Sequence, residues 1–262
     1  TASCGSRIMR ECEFDVCVVD EAGQLTEPAT LAAVNLAERF VLVGDHQQLP
    51  PVVRAENELG TSLFERLIER YPEASVLLDR QYRMSQRIQY FSSQEFYDGQ
   101  LRPATGAVAG QHLSALDGVD AGALPDELRD PVAFVDPSGS ARGNTNPTEA
   151  DRVAAVVDDY LAAGIARDDI GVIAPFRAQV AEITKCVADG VAVDTVDRFQ
   201  GSDKEIIVVS FVATGDLSSP IFEDHRRVNV ALTRAKKALC LVGDGAALSS
   251  DPFYARMLDW AT

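Results

Sequence analysis

The sequence has very little lysine: four of its 24 basic residues are lysines and the other twenty are arginines. Acidic residues number 40, so the formal net charge at pH 7 is −16. We expect this composition to reflect adaptation to a salty cytoplasm, where a high net charge keeps a chain soluble. An ordinary acidic bacterial protein is the alternative. In about 1 M salt the Debye length is roughly 3 Å, so the net charge does not exclude nucleic acid as a partner.

Long apolar runs are also absent. The longest, at residues 206–209 and 238–242, have no more than five residues, whereas a membrane-spanning helix needs about 20. No secretory signal opens the chain, so we expect a cytoplasmic protein without a membrane partner. The five cysteines show no CxxC spacing, and we expect them to be reduced and buried in the core.

What the sequence does contain is two blocks in which strand and helix patterns alternate. Strands are predicted at residues 14–19, 40–43 and 75–78, and then at 132–135, 171–174, 191–195, 206–211 and 238–242. Helices are predicted at residues 28–36, 62–69, 148–163, 178–188 and 228–236. Continuous apolar strands are typical of parallel sheets covered on both faces. The sequence therefore predicts an α/β fold, with one domain at 1–79 and another at 80–262 that carries a loop-rich insertion at about 102–146.

Polar residues with chemical potential follow the first two predicted strands. The run VVDEAGQ ends a strand with Asp20 and Glu21, at the sheet edge where α/β proteins bind ligands. An aspartate there can hold Mg²⁺, and the adjacent glutamate can orient and deprotonate a water molecule. The run VGDHQQLPP places Gln47 where it could contact a γ-phosphate. Taken singly, each run is more typical of a solvated strand end or a polar turn.

Three further runs lie in the second block: QYRM at 81–84, TVDRFQGSDKEIIVVS at 195–210 and VNVALTRAKKALCLVGD at 228–244. They supply Arg83 and Arg234. An isolated arginine is usually a surface residue. Two arginines opposed to an Asp-Glu pair would form a clamp for phosphoryl transfer, in which positive charge stabilises the charge that develops on the γ-phosphate.

In order and spacing, these five runs resemble motifs II to VI of superfamily 1 helicases. The resemblance is to the 5′-to-3′ group that contains the nonsense-mediated-decay RNA helicase and the nuclease-helicase of Okazaki fragment processing. It implies two RecA-like parallel-sheet domains, the first incomplete at its N-terminus. It also implies ATP and Mg²⁺ as cofactors and single-stranded DNA or RNA as the partner, with ATP hydrolysed in the cleft between the domains.

The resemblance assigns roles to residues of the first block and to the nucleic-acid contacts. It implies that Asp20 coordinates Mg²⁺, that Glu21 activates the attacking water, and that Gln47 senses the γ-phosphate. Thr1 and Thr195 match residues that contact the nucleic-acid backbone.

The remaining roles fall on the second block. The resemblance implies that Tyr82 packs against the adenine and that Arg83 and Arg234 contact the γ-phosphate. Gly201 and Asp203 match the segment that approaches the nucleotide. Asp203 stands where many relatives have glutamate, so its contact to the ribose is expected to be longer.

One motif of the family is missing: the sequence contains no G-x-x-x-x-G-K-[ST], whose backbone amides and lysine cradle the phosphates. We therefore expect a missing N-terminal segment that carries the P-loop, and no useful ATP hydrolysis by these 262 residues alone. The sequence predicts part of an ATP-dependent helicase that moves 5′ to 3′, on DNA rather than RNA. The alternative is a non-catalytic half-motor that binds nucleic acid. A small-molecule P-loop kinase is disfavoured because such enzymes lack this set of motifs.

Overall fold

The computed structural model describes residues 2–6, 9, 12–53, 60–137, 141–199, 201–213, 217 and 220–262. The chain divides into two compact units, Thr1–Leu77 and Leu78–Thr262. Among the described residues, no helix combines the length and the apolar character needed to cross a membrane.

The first unit is a short β-α-β arrangement followed by a second helix. Its elements are β1 (Phe14–Val19), α1 (Glu27–Val34), β2 (Ala37–Leu42) and α2 (Leu63–Arg70). The strands pair in parallel, with Val18 opposite Val41. A parallel pair requires a crossover, and α1 provides it, starting with Pro28 in its first turn, where a missing N–H costs nothing. A small core forms around Val19 and Val34.

The strand predicted at residues 75–78 is not formed. Residues 75–79 have no regular structure, and the side chains of Val76 and Leu78 are 86% and 79% exposed. The prediction was wrong because it rested on apolar composition alone. A strand also needs a neighbour for its backbone groups, and the described part of the first unit pairs only β1 with β2.

The second unit is built on a five-stranded sheet with the order β5-β9-β8-β6-β7, and every adjacent pair is parallel. The predicted α/β class with parallel sheets is confirmed. The strands of the second unit are β3 (Arg80–Gln81) and β4 (Arg102–Pro103), which pair in a separate two-stranded sheet, and the five strands of the main sheet, β5 (Val132–Val135), β6 (Ile170–Ala174), β7 (Ala192–Thr195), β8 (Lys204–Ser210) and β9 (Ala235–Val242). Its helices are α3 (Gln86–Phe96), α4 (Gly106–Ala109), α5 (Pro147–Ala162), α6 (Arg177–Cys186), α7 (Val196–Phe199), α8 (Pro220–Glu223), α9 (His225–Leu232), α10 (Gly245–Leu248) and α11 (Pro252–Ala261).

Both faces of this sheet are buried, which explains its continuous apolar strands. Alternate strand residues such as Val172, Val208 and Cys240 pack with α5 and α6 in one large cluster. The strand residues between them face α3, α9 and α11, where Phe91 stacks on Trp260 with ring centroids 5.2 Å apart. The packed sheet carries Asp203 and Arg234 just before the amino ends of β8 and β9, and Thr195 at the carboxyl end of β7.

The segment at 102–146 contributes to this core. It contains β4, α4 and β5, joined by short 3₁₀ turns. Leu113, Leu124 and Leu128 are fully buried in the cluster beneath α5. Three buried leucines among glycine and aspartate give no periodic pattern, so the sequence did not indicate their burial.

Two local predictions need correction. Only Cys240 is buried among the five cysteines; Cys186 is exposed and the other three are half-buried, although none forms a disulfide within the described residues. The helix predicted at 228–236 ends at Leu232, and β9 begins at Ala235. Lys236, which we assigned to the helix, therefore belongs to the strand.

Candidate functional site

In the first unit, the Asp-Glu pair stands at the carboxyl end of β1, as the sequence predicted it would. Both residues are exposed. Glu21 adopts a left-handed backbone conformation with φ 52°, which is unfavourable for a residue with a side chain and concentrates at functional sites. Its carboxylate accepts a 2.6 Å hydrogen bond from Gln24, and its amide donates to Asp20 at 2.9 Å. The carboxylate of Glu21 is therefore held at the sheet edge.

The loop that carries Gln47 lies directly beside this pair. The Ala22 amide donates to the Val43 carbonyl at 2.8 Å, so the loops after β1 and β2 run together. A Cβ on Gly23 would lie 2.8 Å from the Asp45 carbonyl oxygen, closer than real contacts allow. The backbone amide of Gln47 donates a 2.9 Å hydrogen bond to the Asp45 carboxylate. Close glycine packing thus brings the Asp-Glu loop and the glutamine loop to one place.

Asp20 fits the role of a magnesium ligand. Mg²⁺ typically binds one or two carboxylates and completes its shell with water and substrate phosphates. The described residues hold no group of three or more His, Cys, Asp or Glu side chains arranged for a metal. Asp20 is exposed and suits a site that needs the nucleotide to complete it.

In the second unit, the segments of Arg83 and Asp203 meet. The Arg83 guanidinium donates to the Asp203 carboxylate at 3.1 Å and to the Thr233 carbonyl at 3.0 Å. Its backbone is fixed as well, because its amide donates to Gln81 at 2.8 Å and its carbonyl accepts from Gln111. Arg83 therefore touches the turn before β8 and the residue before Arg234.

Arg234 reaches the same turn from the other side. Its Nε donates to the Val230 carbonyl at 3.0 Å, and its Nη1 lies 3.5 Å from the Ser202 carbonyl. The residue is only 4% exposed. A buried guanidinium must satisfy its donors, and backbone carbonyls serve here. The two arginines that the sequence singled out thus converge on residues 202–203.

The other predicted site residues have more varied surroundings. Tyr82 is 75% exposed, and its ring is available for stacking. Gly201 has φ 79° with open space around it, as a turn before β8 requires. Thr195 ends β7 and is 9% exposed. Thr1 lies outside the described residues.

A buried network at the carboxyl end of β8, opposite the end that carries Asp203, was missed from the sequence. The Glu149 carboxylate at the start of α5 accepts hydrogen bonds from Ser210 at 2.5 Å and from the Val212 amide at 2.8 Å. Gln179 of α6 donates to Ser210 at 3.2 Å. Val212 has φ 59°, so Glu149 fixes a strained loop start. The run Asn146-Pro-Thr-Glu signals a helix start, but nothing in it points to Ser210.

Burial of Glu149 raises the pKa of its carboxyl from 4.5 to about 7, against the lowering effect of the hydrogen bonds from Ser210 and Val212. The stability that this group contributes is complete below pH 4.5 and is lost as the pH rises through 7. We expect wild type to lose about 2 to 3 kcal/mol of unfolding free energy relative to Glu149→Gln between pH 5 and 8. Urea denaturation at both pH values measures this difference.

The matched control is Asp158→Asn, which alters an exposed carboxylate on the same helix. Its pH profile should follow that of wild type. Parallel profiles for wild type and Glu149→Gln would contradict the prediction.

Two AAA-domain family models match the chain, one over residues 1–56 and the other over residues 59–246. An uncharacterized ATP-dependent helicase of Methanocaldococcus jannaschii is 37% identical over 98% of this chain. The chain belongs to the AAA-domain family of superfamily 1 helicases. This finding confirms the resemblance drawn from motifs II to VI.

Other relatives are also helicases. The DNA replication ATP-dependent helicase/nuclease DNA2 of Xenopus laevis is 40% identical over 88% of the chain, and that of Homo sapiens is 36% identical over 94%. The chain spans 40% of the Methanocaldococcus protein and 25% and 26% of the two DNA2 proteins. Among solved structures, the PRRSV helicase gives a TM-score of 0.46 at 16% identity, over 89% of this chain and 36% of that one.

Proposed function

We propose that the chain is part of an ATP-dependent helicase that translocates 5′ to 3′ on single-stranded DNA and unwinds duplexes. The observation that carries this proposal is the meeting of Arg83 and Arg234 at residues 202–203, from segments far apart in sequence. A site that gathers two guanidinium groups at the amino ends of β8 and β9 suits a phosphate with developing negative charge.

Within this proposal, the residues of the two units have different roles in ATP hydrolysis. Asp20 holds Mg²⁺, Glu21 accepts the proton of the attacking water, and Gln47 senses the γ-phosphate. Arg83 and Arg234 stabilise the charge on the phosphate during transfer, an effect worth about 10³- to 10⁵-fold in rate.

We assign the remaining contacts with the nucleotide to residues of the second unit. Tyr82, whose ring is exposed, is assigned to pack against the adenine, and the segment of Gly201 and Asp203 is assigned to lie against the nucleotide. Thr195 is assigned to the nucleic-acid backbone, together with Thr1.

We also propose that a further segment carrying a P-loop completes the first unit. The β1–β2 pair supports this proposal, because Phe14, Val16, Val18 and Val41 are exposed on one face of it. Parallel strands are normally covered on both faces. The P-loop would bind the phosphates of ATP, a role that Asp20 and Glu21 do not fill.

Partial duplexes with a single-stranded overhang at either the 5′ or the 3′ end test the direction and the substrate. The protein expressed from its complete reading frame should unwind DNA with the 5′ overhang when ATP is present, and should be slower on RNA. Reactions at about 0.1 M and about 1 M potassium chloride test the proposed salt adaptation, since screening differs strongly between them. ATP-dependent unwinding only from the 3′ overhang would contradict the direction. Strand binding without any unwinding would favour the non-catalytic half-motor.

A further inference from the structure

Asp203 lies between two cations, and each takes a different oxygen of its carboxylate. Arg83 Nε is 3.1 Å from Oδ2, and Lys236 Nζ is 2.6 Å from Oδ1. Lys236 also reaches Glu205 at 3.5 Å. The side chains of Arg83, Asp203 and Lys236 are 34%, 33% and 31% exposed. The cluster is therefore partly open to solvent.

The electrostatics keep this cluster charged. Burial acts to raise the pKa of Asp203, but the hydrogen bond and charge of Lys236, followed by the charge of Arg83, lower it overall. The hydrogen bond with Asp203 raises the pKa of Lys236, against the effect of burial. At neutral pH Asp203 is therefore a carboxylate with one cation on each of its two oxygens.

Backbone hydrogen bonds fix the segments that carry these side chains. The Ser85 amide donates to the Lys236 carbonyl at 3.0 Å, and the Lys204 amide donates to the Arg234 carbonyl at 3.0 Å. The backbone frame is thus fixed, whereas the Arg83 guanidinium stands at the end of a long side chain and is held by two hydrogen bonds, to Asp203 and to the Thr233 carbonyl.

We propose that Lys236 is a positioning residue that allows Arg83 to exchange Asp203 for the γ-phosphate of ATP. The inference rests on the proposed function, in which Arg83 contacts that phosphate. When Arg83 turns to the phosphate, Lys236 stays on Asp203 and the carboxylate is not left unpaired, which would be costly in a partly buried place. Without Lys236, Asp203 would hold Arg83 more tightly and delay its engagement in the transition state.

Lys236→Met tests this mechanism, because it keeps the aliphatic stem and removes the charge. At saturating ATP, we expect kcat of the protein from its complete reading frame to fall about fivefold, the scale of a partly exposed ion pair. The KM for ATP should change by less than about twofold, since an interaction gained only in the transition state acts on kcat. Lys236→Arg should restore kcat, and Lys236→Gln serves as a second neutral variant.

The matched control is Lys237→Gln. Lys237 is the adjacent residue and pairs with Glu205 rather than with Asp203. Its kcat should stay within about twofold of wild type. An equal loss in Lys237→Gln would show that any lost lysine has this effect, and would overturn the inference.

The decisive arm repeats the substitution in an Asp203→Asn background. There is then no carboxylate to hold Arg83, so Lys236→Met should change kcat by less than about twofold, whatever Asp203→Asn itself costs. A full fivefold loss in that background, or wild-type kcat in Lys236→Met alone, would overturn the inference. Arg83→Ala separates the two proposals. If Arg83→Ala retains the kcat of wild type, the proposed function fails. If Arg83→Ala loses kcat and Lys236→Met does not, only the role of Lys236 fails.

Discussion

Glu21→Gln is expected to abolish strand-stimulated ATP hydrolysis, with kcat lower by about 10²- to 10⁴-fold. The amide is isosteric and can still accept the hydrogen bond from Gln24, so the loop after β1 should keep its shape. An amide cannot take a proton from the attacking water. ATP binding should therefore persist while turnover stops, and steady-state hydrolysis together with nucleotide binding measures both.

The matched control for this substitution is Glu38→Gln. Glu38 is an exposed carboxylate near the start of β2, at the opposite end of the strand from the site. Its turnover should equal that of wild type. We also expect the 262 residues alone, which lack a P-loop, to hydrolyse ATP no faster than their own Glu21→Gln variant. Retained turnover in Glu21→Gln of the complete protein would contradict the assignment of Glu21 as the base.

Arg83→Ala is expected to lower kcat by about 10³-fold, because an arginine on the transferring phosphate contributes about 10³ to 10⁵ in rate. Arg83 is preferable to Arg234 for this experiment. Its side chain is 34% exposed, whereas Arg234 is buried against backbone carbonyls, and its loss would also destabilise the fold. Single-turnover hydrolysis of bound ATP measures the effect separately from binding.

Arg80→Ala provides the comparison, since Arg80 belongs to the neighbouring strand β3 and pairs with the adjacent Asp79. It should leave single-turnover hydrolysis unchanged. Equal rates in Arg83→Ala and Arg80→Ala would remove Arg83 from the mechanism. Thermal unfolding of both variants should stay close to wild type, because exposed ion pairs contribute little stability.

Much of the fold was predictable because the strands of parallel sheets have a distinctive apolar composition. The strands at residues 14–19 and 132–135 were predicted with the bounds that the structure shows. The failure at residues 75–78 has the opposite cause: an apolar run shows that a segment could be a strand, but not whether a neighbour exists to pair with it. The burial of Leu113 and Leu124 was invisible for a similar reason, since isolated leucines in a glycine-rich segment have no period.

The sequence by itself determined which residues we propose for the chemistry: the carboxylates Asp20 and Glu21 after an apolar strand, and the arginines in the runs QYRM and TRAKK. Local order was enough for this, because motif and strand lie next to each other along the chain. Only the tertiary structure decided the partners, such as Arg83 with Asp203, Lys236 with the same carboxylate, and Glu149 with Ser210. These contacts depend on strand order and on how α3, α5 and β9 pack, which are properties of residues far apart in sequence.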